Sequence, residues 1–249
     1  MSETNENKNR PAIPAFVRED LARLEIALDD AMLVKLARFL DLLLDANTRM
    51  NLTAIKERDA AWSRMIIDSL TLLPGLENVP ASAKVIDIGS GGGLPGIPLA
   101  IVRPDLHVTL LDATGKKVAF HNEVIKTLGL ENCRSIQDRA ETLGQSKEHR
   151  GQYDIAMSRA IGKIAEVLEY SLPLARVEGR VLAMKGPAIE QELAVASDAL
   201  AVLGAGDLQV FDAYPESFGN NLVILSVVKD RVTPEEYPRL PGVPKQNPL

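Results

Sequence analysis

A stretch rich in glycine carries the clearest chemical signal in the sequence. It runs from Val85 to Gly96 and reads VIDIGSGGGLPG, an apolar segment that stops in a loop of glycines. Glycine lacks a Cβ atom, so its backbone can adopt positive φ and lie directly against a ligand. The apolar segment predicts a buried strand, and the residues after the loop predict a helix whose free N–H groups face the same space. The pattern therefore predicts a nucleotide site at the end of a strand.

The glycine spacing fits two classes of nucleotide cofactor. Gly91, Gly93 and Gly96 match the G-x-G-x-x-G pattern of dinucleotide sites. Together with Gly89, the first two also form a G-x-G-x-G pattern similar to the first motif of S-adenosylmethionine-dependent methyltransferases. Either cofactor needs a carboxylate at the end of the second strand to accept hydrogen bonds from ribose hydroxyls, and Asp112 is placed there. The chain lacks a second domain of the size that dehydrogenases use, which favours S-adenosylmethionine.

The elements that must position this loop alternate between strand and helix after Ala83, as in a parallel α/β sheet. Strands are predicted at 84–88, 107–112, 132–136, 153–158 and 180–184, followed by two extended segments at 207–213 and 221–228. Helices are predicted between them at 98–102, 116–128, 162–175 and 188–203. We expect a Rossmann-like α/β fold with seven strands, mostly parallel, in which the last strand is antiparallel.

Four regions are expected along the chain: a flexible tail (1–14), a helical cap packed on the core (15–83), the core itself (84–232) and an extended, proline-rich tail (233–249). Apolar residues at helical spacing from Ala15 to Leu44 predict two amphipathic helices with a break near Asp29. A further helical segment passes through Trp62 and ends at Pro74.

Composition excludes several protein classes. The 249 residues carry a net charge of −6, and no apolar stretch approaches the roughly 18 residues of a membrane span. Residues 1–10 are polar and lack the apolar segment of a signal peptide, so a cytoplasmic protein is expected. Cys133 is the only cysteine, which excludes an intrachain disulfide. Residues 103–185 contain 13 Lys and Arg against 11 Asp and Glu, so a local basic face that binds phosphates is compatible with the acidic total.

Six motifs and the end of the chain match one known family. The motifs are Asn51-Leu52-Thr53, Arg64 with Asp68-Ser69-Leu70, Val85 to Pro98, Leu110-Leu111-Asp112 with Lys116-Lys117, Ser158-Arg159-Ala160 and Lys185-Gly186. Together with the ending from Tyr237 to Leu249, they resemble the bacterial ribosomal-RNA guanine-N7 methyltransferases known as RsmG or GidB. The resemblance implies a class I S-adenosylmethionine-dependent methyltransferase fold. It also implies methyl transfer to N7 of one guanine in 16S rRNA of the small ribosomal subunit.

Carried over residue by residue, the resemblance implies a set of cofactor-binding residues. They are two positions of the glycine loop, the ribose-binding carboxylate, a turn that holds adenine and an arginine after the fourth strand: Gly89, Leu94, Asp112, Ala140, Glu141 and Arg159. Arg159 is expected to pair with the methionine carboxylate of the cofactor or with RNA. Positive side chains predicted near the carboxyl ends of strands are candidates for RNA binding: Lys116, Lys117, Arg139, Lys163 and Lys185. We expect 16S rRNA or a small-subunit particle as partner, no membrane, no metal, and a monomer.

The proposed chemistry requires no general base, because guanine N7 carries a lone pair and no proton. No catalytic residue is assigned, and His107, His121 and His149 are interpreted as structural because their spacing suggests neither a metal site nor a triad. Two alternatives stay open at this point. One is a methyltransferase that acts on a small molecule or a protein, and the other is a cofactor-binding regulator without catalysis.

Two positions depart from the family pattern. Met65 stands where the family usually has histidine after Arg64, so no role is carried over to it. The segment 218–222 lacks the basic residues often found before the last strand, which weakens the case for RNA contacts there.

Overall fold

A seven-stranded β-sheet forms the centre of the chain. The computed structural model describes residues 11–215, 218 and 221–249. Its strands are β1 (Lys84–Ile88), β2 (His107–Asp112), β3 (Cys133–Gln137), β4 (Tyr153–Arg159), β5 (Ala175–Lys185), β6 (Ala205–Asp212) and β7 (Val223–Lys229). They are ordered β3-β2-β1-β4-β5-β7-β6, and β7 is antiparallel to both of its neighbours whereas the other pairs are parallel. The predicted number of strands and the antiparallel last strand are confirmed.

Helices precede the sheet and connect most of its strands. Before β1 lie α1 (Ala15–Arg23), α2 (Asp30–Met50) and one continuous helical segment formed by α3 (Arg58–Ala61), a π-helical stretch (Trp62–Ile67) and α4 (Asp68–Leu70), then a 3-10 turn (Leu73–Leu76). The later helices are α5 (Gly96–Val102), α6 (Gly115–Leu128), α7 (Ala140–Gln145), α8 (Ile164–Ser171), α9 (Ile189–Ala194), α10 (Ser197–Leu203) and α11 (Val243–Gln246).

The two faces of the sheet bury separate hydrophobic clusters. Successive strand residues point to opposite faces, so Val85 joins the cluster that contains the cap, α5 and α6, whereas Ile86 joins the cluster that contains α8 and α10. The strand order reverses between β1 and β4. Open α/β sheets bind ligands at this point, beyond the carboxyl ends of the strands. The end of β1 is therefore the expected place for a site.

The N-terminal helices pack directly behind the glycine loop. Helix α2 begins at the N-cap Asp29, whose side chain accepts a hydrogen bond from the Met32 amide at 2.7 Å, and it ends at Asn51 in the left-handed conformation. Buried Asn47 accepts a hydrogen bond from the Thr53 amide at 2.8 Å and fixes the turn that follows. The Leu43 side chain lies 2.8 Å from where a Cβ on Gly92 would be, so the cap helix leaves room only for glycine there.

Three predicted segments differ most from the structure in their boundaries. Helix α8 starts at Ile164, after Gly162 with its φ of +118°, and ends at Ser171, so the prediction of a helix over 162–175 is too long. Strand β5 begins at Ala175 and not at 180. Its pairing with β4 shifts register near Glu178, which has a φ of +66°, and the strand continues on both sides of this irregularity. The predicted helix 188–203 is two helices, α9 and α10, separated at residues 195 and 196.

The C-terminal segment 233–249 is pinned to the core by polar contacts. The Arg150 guanidinium donates to four backbone carbonyls, those of Gly144, Thr233, Pro234 and Tyr237, at 2.6–2.9 Å. Arg239 binds the fully buried carboxylate of Glu169. The prediction of a wholly irregular tail is wrong at α11, which occupies Val243–Gln246.

Some predictions fall on residues that the structure does not describe. They concern residues 1–10 of the expected N-terminal tail and residues 216, 217, 219 and 220, which include part of the segment 218–222. The division into four regions stays a prediction. In the part of the chain that the structure describes, every helix is too short or too polar to cross a membrane.

Candidate functional site

A cavity of about 150 Å³ lies at the carboxyl ends of β1, β2 and β3. Four of the six predicted cofactor residues line it: Gly89, Asp112, Ala140 and Glu141. The RNA candidate Arg139 is also in its wall, whereas Leu94 and Arg159 are not. Elements far apart in the chain thus meet at one edge of the sheet, as the strand order requires.

A larger cavity, of about 360 Å³, lies at the opposite ends of the strands. It is lined by the amino-terminal residues of four strands, among them Lys84, His107, Cys133 and Tyr153. No residue of the glycine loop reaches it. Because ligands of such sheets bind at the carboxyl ends of the strands, the smaller cavity is the better candidate for the cofactor.

Asp112 connects the end of β2 to the glycine loop. Its Oδ2 atom accepts hydrogen bonds from the Gly91 amide at 3.0 Å and the Lys117 ammonium at 3.3 Å, and its Oδ1 atom accepts one from the Thr114 amide at 2.9 Å. A carboxylate offers about four acceptor positions, so three are already in use. A ribose diol that donates two hydrogen bonds would have to displace one of these donors. The contact with Lys117 is the longest, and that side chain is 36% exposed.

The glycine loop itself leaves space for a ligand at one point. Gly91 has a φ of +59°, and a Cβ placed on it would find no atom nearer than the Gly89 carbonyl oxygen at 3.8 Å. At Gly89, by contrast, the Ile161 side chain is 2.6 Å from the Cβ position. An open backbone surface next to the carboxylate predicted to bind ribose fits S-adenosylmethionine, which the sequence predicts as the cofactor.

Asp87, in the middle of β1, is a buried carboxyl group that the sequence reasoning did not assign to the site. Its Oδ2 atom accepts a hydrogen bond from the Gly96 amide at 2.9 Å, and its Oδ1 atom has no hydrogen-bond partner among the described residues. Burial raises the pKa of this group to about 7, against the lowering effects of the Gly96 amide and the Arg159 charge. A charged residue within an apolar strand is the signal that could have drawn attention to it.

The stability of the chain should depend on pH through Asp87. In the folded chain the carboxyl group keeps its proton up to about pH 7, whereas in the unfolded chain it ionises near 3.8. The folded state then binds more protons between these values, so the free energy of unfolding should fall as pH rises, by up to about 1.4 kcal/mol per pH unit. Urea unfolding at several pH values, compared with Asp87→Asn, measures this. If the free energies of unfolding of the two proteins differed by the same amount at every pH, the raised pKa of Asp87 would be contradicted.

Arg159, at the end of β4, binds the helical cap. Its guanidinium donates to the Arg64 carbonyl at 2.6 Å and more weakly to the Met65 carbonyl at 3.5 Å, and it lies 4.0 Å from the Asp68 carboxylate. The acceptors belong to the π-helical stretch and to the first residue of α4, and Asp68 in turn accepts a hydrogen bond from the Tyr214 hydroxyl. The structure thus shows Arg159 joining the cap to the sheet edge, and its role toward the cofactor or RNA stays a prediction.

Met65 occupies the position at which the family usually has histidine. Its side chain is 1% exposed and belongs to the hydrophobic cluster of the cap. Its carbonyl accepts a hydrogen bond from the Ser69 hydroxyl at 2.5 Å as well as the weak one from Arg159. At this position the chain therefore contributes apolar packing and a backbone acceptor.

Glu141 is buried and turned toward the C-terminal segment. Its Oε1 atom accepts a hydrogen bond from the Gly242 amide at 2.8 Å. This oxygen is therefore already engaged by the C-terminal segment, and contact of the turn at Ala140 and Glu141 with adenine stays a prediction. The C-terminal segment consequently supports one wall of the cavity.

The five RNA candidates fall into two groups. Lys116, Arg139 and Lys163 are exposed and follow the carboxyl ends of β2, β3 and β4, and Arg139 also lines the cavity. Lys117 is half-buried and contacts Asp112. Lys185 is 9% exposed, pairs with Glu192 at 2.7 Å and donates to the Gly162 carbonyl at 2.6 Å. The contacts of Lys185 are those of a structural residue, and RNA binding by it stays an untested prediction.

The histidines differ in their surroundings. His121 is fully buried and contacts the Gly91 carbonyl, a link to the glycine loop that sequence reasoning missed because a single histidine on an amphipathic helix gives no signal. His149 contacts the Tyr153 hydroxyl at the other edge of the sheet. Among the described residues, no three His, Cys, Asp or Glu side chains are grouped as a metal site requires.

Solved structures of low sequence identity share this fold. A mutant of MtNAS superposes with a TM-score of 0.53 at 14% identity, covering 86% of this chain and 82% of that one. A mutant of the 16S rRNA (adenine(1408)-N(1))-methyltransferase from Catenulisporales acidiphilia gives 0.50 at 18% identity, covering 62% and 88%. These matches confirm the predicted fold class.

Sequence comparison identifies the family. The GidB family model, described as rRNA small subunit methyltransferase G, matches residues 32–216. A relative from Desulforamulus reducens, named ribosomal RNA small subunit methyltransferase G, is 42% identical over 235 residues, which cover 94% of this chain and 97% of the relative. The one from Moorella thermoacetica is 41% identical over 224 residues, which cover 90% and 93%. With both matches extending over nearly the whole chain, the protein belongs to the family of the ribosomal RNA small subunit methyltransferase G.

Proposed function

We propose that the chain transfers the methyl group of S-adenosylmethionine to N7 of one guanine in 16S rRNA of the small ribosomal subunit. The observation that carries the proposal is the meeting of the open glycine loop with Asp112 at the reversal point of the sheet. Family membership supports ribosomal RNA as the substrate. The rim of exposed positive side chains supports a polyanionic substrate over a small metabolite.

The residues of the cavity divide the task of binding the donor. Asp112 accepts hydrogen bonds from the ribose hydroxyls, and the open backbone at Gly91 lies against the ligand, with Gly89 in the cavity wall beside it. Ala140 and Glu141 supply the turn beside the adenine. Gly89, Asp112, Ala140 and Glu141 line one cavity, and the Gly91 amide donates to Asp112, which supports a single ligand held by all of them.

Bound S-adenosylmethionine supplies an electrophilic methyl group on a positively charged sulfur. The lone pair of guanine N7 forms the new N–C bond, and the electrons of the broken S–C bond remain on sulfur. No proton is released from N7, so no side chain has to accept one. The protein's contribution is to hold the two reactants in line and to exclude water from between them.

The guanine must be presented to the mouth of the cavity. We place Lys116, Arg139 and Lys163 around that mouth, because all three are exposed and follow the carboxyl ends of strands, and there they can contact phosphates. Such contacts position an RNA and do not read its sequence. The chain has few aromatic residues, 4% of the total, for stacking on bases. Recognition should therefore depend on the shape of the folded RNA as well as on charge.

The direct test is methylation of 16S rRNA and of 30S subunits by the purified chain with labelled S-adenosylmethionine. Chemical cleavage at 7-methylguanine then maps the modified position. Labelled N7 on one guanine of either substrate supports the proposal. Cofactor binding without methylation of either substrate would overturn it and favour a regulator, and methylation of a protein or metabolite alone would favour the other alternative.

Replacing Lys116 by alanine tests the basic rim. We expect weaker RNA binding and a decrease of about 1 in the slope of log affinity against log salt concentration, because one phosphate contact is lost. Lys126→Ala is the matched control, since both lysines are exposed on α6, Lys116 in its first turn and Lys126 in its last. Filter binding over a range of salt concentrations measures the slope. Equal slopes for the two variants would contradict the position of the rim.

A further inference from the structure

His121 is a buried imidazole that touches the glycine loop from α6. Its Nε2 atom lies 2.8 Å from the Gly91 carbonyl oxygen, and its Nδ1 atom lies 3.0 Å from the Ser135 hydroxyl on β3. Burial lowers the pKa of the ring, the Gly91 carbonyl and the Asp112 charge raise it, and the Lys117 charge lowers it. The ring is therefore neutral near pH 7.

The direction of each hydrogen bond follows from the chemistry of the partners. A carbonyl oxygen only accepts, so Nε2 must carry the proton toward Gly91. In the neutral ring Nδ1 then accepts from the Ser135 hydroxyl. If the ring gains a proton, Nδ1 donates to that hydroxyl, which can turn toward the Leu110 carbonyl at 3.4 Å. The bond to Gly91 persists in both forms.

Hydrogen bonds, and not packing, fix the peptide groups of Gly91. The nearest atom to its Cβ position is the Gly89 carbonyl oxygen at 3.8 Å, so no side chain packs against that face of the residue. Its amide donates to Asp112 and its carbonyl accepts from His121. The three donors on Asp112 leave too few acceptor positions for a ribose diol, so the Gly91 amide competes with the ligand for that carboxylate. The hydrogen bond from His121 goes to the Gly91 carbonyl, so it does not compete with the ligand for Asp112.

We propose that His121 is a positioning residue that holds the Gly91 carbonyl and so keeps the glycine loop in the conformation that receives S-adenosylmethionine. The inference rests on the donor site of the proposed function, and not on the identity of the methyl acceptor. A loop already held in place loses less conformational freedom on binding, which raises cofactor affinity.

Two substitutions separate the hydrogen bond from the packing of the ring. His121→Leu fills much of the space but has no donor, and we expect its affinity for S-adenosylhomocysteine to fall about 3- to 10-fold, the effect of one lost hydrogen bond. His121→Gln keeps an N–H donor at the end of a side chain of similar reach, and its affinity should stay within about 2-fold of the unaltered chain. Titration calorimetry measures both. His107→Leu, at the other edge of the sheet, is the control and should leave the affinity unchanged.

Nitrogen NMR of the unaltered chain reports the protonation of each ring nitrogen of His121, whether or not the variants fold. We expect His121 to be protonated at Nε2 and not at Nδ1 at neutral pH, and the Gly91 amide resonance to move in His121→Leu. A ring protonated at Nδ1, or equal affinities for all three forms of residue 121, would overturn the inference. Because these measurements use only S-adenosylhomocysteine, they stand even if RNA methylation fails.

Discussion

Replacing Arg239 by alanine is expected to lower the free energy of unfolding by about 3 to 5 kcal/mol. Arg239 donates to Glu169 through its backbone amide at 2.8 Å and through two guanidinium nitrogens at 2.9 and 2.6 Å. The Glu169 side chain is 0% exposed. Removing the guanidinium leaves a buried carboxylate with the backbone amide as its remaining donor, and an unpaired buried charge is among the most costly defects in a folded chain.

Urea unfolding of the variant at neutral pH measures this loss. Arg49→Ala is the matched control, because Arg49 pairs with Asp45 at 3.0 Å but their side chains are 64% and 68% exposed. Exposed pairs contribute little, so the control should change stability by less than about 1 kcal/mol. Adding Glu169→Gln to Arg239→Ala should recover part of the loss, since it removes the buried charge. Equal losses for Arg239→Ala and Arg49→Ala would show that the tail is not anchored by this pair.

Much of the fold follows from local pattern. Strands β1 and β2 have the predicted bounds because each is a short apolar segment between clear turn signals. The boundaries that failed depend on contacts that local sequence does not encode. Strand β5 extends beyond Glu178 to Ala175 because it pairs with β4 on both sides of the irregularity, and α11 forms within a segment whose prolines predict an irregular tail.

The sequence predicts which residues come together at the candidate site where a residue type in that motif has a single common structural role. Asp112 and the glycines of the loop belong to that class, and the structure brings Asp112 to the Gly91 amide. Arg159 and Lys185 are different, because their partners are backbone carbonyls and carboxylates distant in sequence. A positive residue at a strand end gives the same signal whether it faces RNA or joins two parts of the protein. The tertiary contacts of each residue show which positive side chains have partners within the protein.

Gly91→Val is expected to reduce affinity for S-adenosylhomocysteine more than about 100-fold while the chain still folds. The valine side chain would enter the open space at Gly91, where the ligand is proposed to lie. A β-branched residue also resists a φ of +59°, which adds a backbone cost of about 1 to 2 kcal/mol to stability. Calorimetry measures the affinity, and urea unfolding measures the stability.

Gly129→Val separates the backbone cost from the ligand clash. Gly129 caps the C-terminal end of α6 with a φ of +61° and, like Gly91, has no atom close to its Cβ position, whereas the Gly91 amide donates to Asp112, a residue of the cavity wall. Both variants should lose similar stability, and only Gly91→Val should lose the ligand. If Gly91→Val bound the ligand as tightly as Gly129→Val, the cofactor would not lie against the loop, because both substitutions place a β-branched residue at positive φ and only Gly91 is proposed to face the ligand.

Gly96→Ala tests a glycine that is enclosed by the core. Its Cβ would lie 2.8 Å from Asp87 Oδ2, so the substitution should destabilise the fold by about 1 to 3 kcal/mol.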